Sequence, residues 1–209
     1  MRFKSTEELQ RWAQRNQRLG QETRTVRQTS APAVATVDPQ LQRRILGIDT
    51  ALRTTGWGLV DIRGQRLKAV DCGVIRTAPK EKISECLRRL AGGIRELVQL
   101  YHPDIAVLEG AFYCKNVHTS MMLGAARGAV IAVLAELGLD IFEYAPRRVK
   151  ESVCGNGNAS KQQVALLVSQ LLGINTANLV LDSTDALAMA ITHAHNLSTV
   201  GGLGLPERI

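Results

Sequence analysis

Arg44-Ile-Leu-Gly-Ile-Asp-Thr-Ala-Leu-Arg-Thr-Thr-Gly-Trp-Gly-Leu-Val60 decides how the chain folds. A short apolar run, Ile45, Leu46 and Ile48, ends on Asp49, and a second apolar run follows a glycine-bearing turn. The first run does not alternate, the pattern of a strand covered on both faces. The stretch therefore reads as a β-hairpin holding a carboxylate at a central sheet. Gly56 and Gly58 leave room above the second strand for a bulky ligand or another backbone. Taken alone, Asp49 is equally an acid that caps a turn.

Moving outward, Arg63-Gly64-Gln65 is a turn, and Leu67 to Arg76 forms a third strand, with Cys72-Gly73 predicted as a bulge. From Pro79 a helix carries Ile83, Leu87, Leu90, Ile94, Leu97 and Tyr101 on one face and stops before His102-Pro103. Ile105 to Leu108 repeats the opening pattern, a continuous apolar run that ends on a carboxylate, Glu109. A helix over 119–138 is crowded with glycine and alanine, so another helix can approach it closely, within the domain or across a dimer interface. A short strand over 141–144, a helical piece over 146–153 and the loop Gly155-Asn156-Gly157-Asn158 follow. Ser160 and Gln163 then make a capping box, and a last helix over 178–197 holds Asp182 and Asp185. Three meandering strands followed by strands added through helical crossovers give an α/β domain, a mixed five-stranded sheet flanked by helices. This is the element order of the ribonuclease H-like fold.

Charge and composition bound the function. Residues 1–44 hold nine Lys/Arg against four Asp/Glu, so +5 of the formal net charge of +7 belongs to the leader. After a weakly amphipathic stretch opened by Ser5-x-x-Glu8, that leader loses all periodicity, as expected of a basic, disordered arm suited to a polyanion or simply solvated. The expected organisation is an extension over 1–43, a folded domain over 44–198 and a flexible tail over 199–209. No run of about eighteen apolar residues and no secretory signal is seen, so a soluble cytoplasmic protein with no membrane partner is expected. Cys72, Cys86, Cys114 and Cys154 are scattered without zinc or disulfide spacing and read as reduced thiols.

Asp182 and Asp185 stand three apart, on one side of a helix. Each has a bland reading, Asp182 as an N-cap and Asp185 as a first-turn acid favoured by the helix dipole. The topology sets Asp49 and Glu109 at the ends of neighbouring strands, and if the last helix crosses the sheet, four carboxylates converge. Such a set suits hard divalent ions, two Mg²⁺ or Mn²⁺ in its place, and the chemistry implied is phosphodiester hydrolysis. Phe112 and Tyr113 can stack on an unpaired base or simply pack, and Lys115 can meet a phosphate. Lys150 and Lys161 flank the Gly-Asn-Gly-Asn loop, either contacting phosphates or solvated. His193 and His195 come two turns or more after Asp185 and read as structural or surface groups, with metal ligation by His193 as the lesser alternative.

Over Ile45 to His195 the sequence resembles the RuvC family of Holliday-junction resolvases. The resemblance is carried by Leu-Gly-Ile-Asp at 46–49, Thr-Gly-Trp-Gly at 55–58 and Leu-Glu-Gly-Ala-Phe-Tyr-Cys-Lys-Asn at 108–116. Gly-Ala-Ala-Arg-Gly at 124–128, Arg-Arg-Val-Lys at 147–150, Ala-Ser-Lys at 159–161 and Asp-Ser-Thr-Asp-Ala-Leu-Ala at 182–188 complete it. It implies Asp49, Glu109, Asp182 and Asp185 as metal-binding catalytic acids, Phe112 as a stacking residue at the junction centre, and Lys150 and Lys161 as DNA contacts. It further implies a homodimer built on the helix near 119–138, symmetric nicking of a four-way junction, and the branch-migration proteins RuvA and RuvB as partners. Thr50-Ala51 departs from the family's usual Pro-Gly, and residues 1–43 have no counterpart in a typical member. Two rival readings are a junction-binding protein without nuclease activity and a phosphate-binding hairpin of the actin-like ATPase and sugar-kinase type. The second needs two such domains, and the chain has room for one.

Overall fold

The structure, a computed structural model, describes residues 42–110, 116–176, 179–198 and 205–209. Strands β1 (Gln42–Asp49), β2 (Thr54–Arg63) and β3 (Arg66–Arg76) form an antiparallel meander. Helix α1 (Ile83–Tyr101) leads to β4 (Ile105–Glu109), α2 (Val117–Glu136) to β5 (Asp140–Tyr144), and α3 (Pro146–Cys154), α4 (Lys161–Leu172) and α5 (Leu181–Ser198) close the domain. The sheet order is β3-β2-β1-β4-β5, with β4 and β5 added parallel to β1. The predicted ribonuclease H-like topology is therefore present, with β1 central. Residues 1–41 of the expected 1–43 extension, its Ser5 capping box, Cys114, and the candidate contacts Phe112, Tyr113 and Lys115 lie outside the described residues, while Gln42 and Arg43 of that extension open β1.

The sheet is buried on both faces, which is why β1 reads without alternation. On one side Leu46, Ile48, Trp57 and Leu59 meet α1 and α2 through Leu90, Ile94, Val130 and Leu134. On the other, Ile45, Val60, Ile105 and Val107 meet α3, α4 and α5. Each such side chain removed from water contributes about 1.5–3 kcal/mol. At the rim of the first layer, Arg44 pairs with Asp61 at 2.7 Å and donates to the Tyr101 carbonyl at 2.7 Å, tying the start of β1 to the end of α1. His102 ends that helix in the left-handed conformation before Pro103.

Three local expectations change. The register shift in the β2–β3 pair falls between Leu59 and Val60, where Asp71 and Ala69 face them and Val70 is the extra residue, not at Cys72-Gly73. Gly73 has another purpose: a Cβ there would stand 2.8 Å from the Trp57 ring, so the missing side chain seats the indole. The end of the predicted flexible tail returns to the sheet. Arg208 bridges Phe142 on β5, Ile209 donates to the Ile141 carbonyl at 3.1 Å, and Arg208 pairs with Asp140 at 2.6 Å. Finally, α2 is long and apolar enough by composition to cross a membrane, although the sequence shows no obvious span. It lies along this domain, with Ala126, Val130, Val133 and Leu134 buried and Arg127 ion-paired to Glu143 of β5.

His193 sits inside the second layer, fully buried, its Nδ1 3.0 Å from the Tyr144 hydroxyl and its ring 4.5 Å from that of Phe142. Burial lowers its pKa from 6.5 to about 4. The unfolded chain thus takes a proton that the folded one refuses. The stability due to neutral His193 is whole above pH 6.5 and is lost as pH falls toward 4, by about 2 kcal/mol at pH 5. Urea midpoints at pH 7.5 and 5 are expected to converge in His193→Gln relative to the parent. An unchanged pH slope in that variant would assign the acid sensitivity elsewhere.

Candidate active site

β1 and β4 run parallel with Ile48 opposite Leu108, so the next residue of each strand, Asp49 and Glu109, leaves the sheet side by side. Strand alternation fixes their direction. Ile45 precedes Asp49 on its face, Ile105 and Val107 precede Glu109, and all three pack in the α3–α5 layer. Both carboxylates therefore project toward α5.

What brings α5 to them is a stripe of glycines. A Cβ on Gly47 would stand 1.9 Å from the Ala186 carbonyl oxygen, one on Gly56 2.0 Å from that of Asp182, and one on Gly58 2.6 Å from Cγ of Leu187. The helix backbone thus rests on the strands themselves. The room foreseen above β2 is taken by a backbone, which leaves no cradle there for a nucleotide phosphate and removes the support for the actin-like reading. Asp182 and Asp185 lie in the first turns of α5, which starts at Leu181, so Asp182 is inside the helix and not its N-cap.

The electrostatics record the crowding. The Asp49 carboxyl is pushed up to about 7, first by burial and then by the negative charges of Glu109, Asp185 and Asp182. Glu109 is raised as well, by burial and then by Asp185, while Lys161, Lys150 and Arg127 oppose the shift. Lys161, the first residue of α4 after the Ser160–Gln163 capping box, places Nζ 2.7 Å from Oδ2 of Asp185. That contact raises the lysine's pKa. Lys161 is thus the cation these acids share here. Lys150, on α3, adds positive potential at Glu109 without a direct bond to it. The structure brings together Asp49, Glu109, Asp182, Asp185 and Lys161, with Lys150 at the margin. His193 is in the core, and His195 faces the Ser152 hydroxyl at 3.3 Å.

Among the described residues no three carboxylate, imidazole or thiol side chains stand close enough to form a finished metal shell. The donor chemistry nevertheless fits a hard divalent ion: four carboxylates, of which Asp49 is hard to ionise without added positive charge. The turn after Asp49 is intact despite Thr50-Ala51. The Thr55 hydroxyl donates to the Ala51 carbonyl at 2.5 Å and accepts from the Ala51 amide at 3.2 Å.

Sequence reading passed over Arg127 and Glu143. Arg127 Nη1 donates to the Glu109 carbonyl at 2.6 Å, and Nη2 pairs with Glu143 Oε1 on β5. The available signal was a lone arginine midway along a helix of small apolar residues, inside the Gly-Ala-Ala-Arg-Gly stretch.

A five-stranded mixed sheet with acids at the ends of its two central parallel strands, and a helix bearing two more across them, defines a nuclease-type domain of the ribonuclease H-like class. The profile of the family Crossover junction endodeoxyribonuclease RuvC matches residues 45–193. The chain belongs to that family. It is 43% identical over 152 residues to the crossover junction endodeoxyribonuclease RuvC of Bordetella avium, covering 73% of this chain and 83% of that one. With the Chloroflexus aggregans relative of the same name it shares 39% over 162 residues, covering 78% and 99%. The solved structure of T. thermophilus RuvC in complex with Holliday junction substrate is similar at TM-score 0.73 and 28% identity, over 80% of this chain and 99% of that one. The yeast mitochondrial Holliday junction resolvase Ydc2, at 14% identity and TM-score 0.53 over 78% and 80%, shares the fold.

Proposed function

We propose that this chain is a structure-specific endonuclease that resolves Holliday junctions in recombination and repair by nicking two opposing strands. Asp49, Glu109, Asp182 and Asp185 are its metal-binding acids, with two Mg²⁺ ions per site and Mn²⁺ as a substitute. The observation that carries the reading is the meeting of four carboxylates and Lys161 at one end of the sheet in a chain of this family. When bound, such ions activate a water and stabilise the leaving oxygen of a phosphodiester. The chain's own residues supply the rest. Asp49 and Glu109, fixed on adjacent strands, present their oxygens from a rigid base, and Asp182 and Asp185 face them from α5. Lys161 leaves Asp185 for an incoming phosphate, and Lys150 adds positive charge beside it. Phe112, Tyr113 and Lys115, in the segment after Glu109, meet the DNA strands at the crossover.

The same reading makes the protein a cytoplasmic homodimer that works with RuvA and RuvB. Support for the dimer comes from α2, where Val117 and Met121 are exposed and Gly124 and Gly128 open onto free space. Two copies related by a two-fold axis match a junction with two equivalent scissile phosphates. Met121→Glu is expected to convert the dimer to monomer in sedimentation at micromolar concentration and to uncouple the two nicks. A variant that sediments as the parent does would place the dimer contact elsewhere.

The deciding experiment incubates the protein with a labelled mobile four-way junction and a matched linear duplex, in Mg²⁺ and in chelator. Paired, metal-dependent nicks in the junction alone are expected. Tight junction binding without nicks, in Mg²⁺ and Mn²⁺ alike, would instead establish the binding-only alternative.

A further inference from the structure

Glu109 is the last residue of β4, and the two neighbouring ladders treat it differently. Pairing with β1 ends one residue earlier, at Ile48 and Leu108, whereas pairing with β5 continues to Glu109 and Tyr144. Beyond it, the Gly110 amide donates to the Tyr144 carbonyl at 2.8 Å. The backbone of Glu109 is thus anchored toward β5 and has outrun its partner on β1, the strand that carries Asp49. Its carbonyl is taken by Arg127 at 2.6 Å, and the same guanidinium grips Glu143 on β5. Both partners of that ion pair are largely buried, with side chains 17% and 25% exposed. Arg127 is the only Lys or Arg in the 20 residues of α2.

A guanidinium presents several donors in a fixed plane, so it can hold a carbonyl and a carboxylate at once, which a lysine ammonium on a flexible stem does poorly. Burying an arginine on the apolar stretch over 124–135 of this helix costs stability unless both bonds are made. Packing alone does not call for it, because Val130 and Leu134 hold the same helix on the sheet. We propose that Arg127 is a positioning residue for Glu109, fixing the end of β4 so that its carboxylate meets Asp49 at the right height, and making α2 the support of the acidic site. The inference rests on the metal-nuclease reading above. Because α2 also carries the dimer face of that reading, the arginine links the interface to the reacting end of the sheet through one side chain.

The test uses the full chain and Mn²⁺ as the probe, with binding followed by the electron paramagnetic resonance of the free ion. Arg127→Gln and Arg127→Lys are each expected to weaken Mn²⁺ binding about tenfold, in the range found when outer-shell partners of metal ligands are removed. Glu143→Gln keeps the arginine but frees one of its anchors, and is expected to weaken binding about threefold, a smaller fraction of the same effect. Junction binding in chelator is expected to stay at the parent value in all three, and raising Mg²⁺ should recover part of the single-turnover cleavage rate. Arg127→Gln that unfolds cooperatively and binds Mn²⁺ within twofold of the parent overturns the proposal. So does Arg127→Lys with parental Mn²⁺ affinity, since charge alone would then suffice. If Arg127→Gln fails to fold, Glu143→Gln decides, and parental Mn²⁺ affinity there overturns the proposal. A parent protein that cleaves junctions but binds no Mn²⁺ would overturn the metal reading of the acids, and the role of Arg127 with it.

Discussion

Asp49→Asn is expected to lower the single-turnover rate of junction cleavage in Mg²⁺ by about 10³-fold or more, equivalent to about 4 kcal/mol of lost barrier reduction. Junction binding in chelator should be unchanged or tighter. The asymmetry follows from the surroundings. Asp49 is mostly buried beside Glu109, Asp182 and Asp185, and its carboxyl is pushed up to about 7. A neutral amide of the same shape therefore relieves repulsion among the acids, and it removes a negative charge that an incoming phosphate must face. What it cannot do is donate a charged oxygen to a divalent ion. Cleavage assays and mobility shifts on one protein batch check both halves. Parallel loss of binding and cleavage would make Asp49 a structural residue, and undiminished cleavage would remove it from the site.

The second large effect concerns a residue with no side chain. In Gly47→Ala the new methyl would meet the Ala186 carbonyl oxygen at 1.9 Å, a backbone atom that cannot rotate away. Helix α5 must lift from β1, at a cost of about 3 kcal/mol, the upper part of the usual range for overpacking, or roughly 10 °C in melting temperature for a chain of this size. Because α5 carries Asp182 and Asp185, the displacement also separates the acids. Cleavage should fall by about 10²-fold in the folded fraction, as expected for a misplacement of about 1 Å. Gly92→Ala is the control. It lies inside α1, where a Cβ would meet nothing within 4 Å, and should gain up to about 1 kcal/mol. Equal melting temperatures for Gly47→Ala and the parent would show that the helix has slack the packing does not reveal.

The parts of this fold that depend on short stretches were legible in the chain. Leu-Gly-Ile-Asp and Ile-Ala-Val-Leu-Glu each spell a buried strand with an acid at its exit, and the connecting helices fix both strands as parallel neighbours. The meeting of Asp49 with Glu109 needed nothing more. Gly56 and Gly58 announced a close approach, but a glycine reports only what it lacks. That the approaching group was α5, at Gly47 as well, depends on residues some 130 positions later. Arg127 stayed hidden for the same reason: both its partners are brought to it by the sheet, and one of them is a main-chain carbonyl with no signature in sequence. The bulge falls at Val70, and Gly73 instead seats Trp57, a cross-strand role that turn chemistry does not encode.

The return of Arg208 and Ile209 to the sheet has a practical consequence for anyone shortening the chain. A fragment cut after Ser198, where the last helix ends, loses the Arg208 bridge to Phe142, the Ile209 bond to Ile141 and the ion pair on Asp140. Strand β5, Asp-Ile-Phe-Glu-Tyr, would then lose the bridge that the described residues place on its outer side, with Arg208 no longer over the Phe142 ring. An uncovered edge of that kind pairs readily with other chains. The trimmed domain would keep every acid of the site and yet pair edge to edge more readily than the longer chain, so residues 205–209 belong in any shortened form.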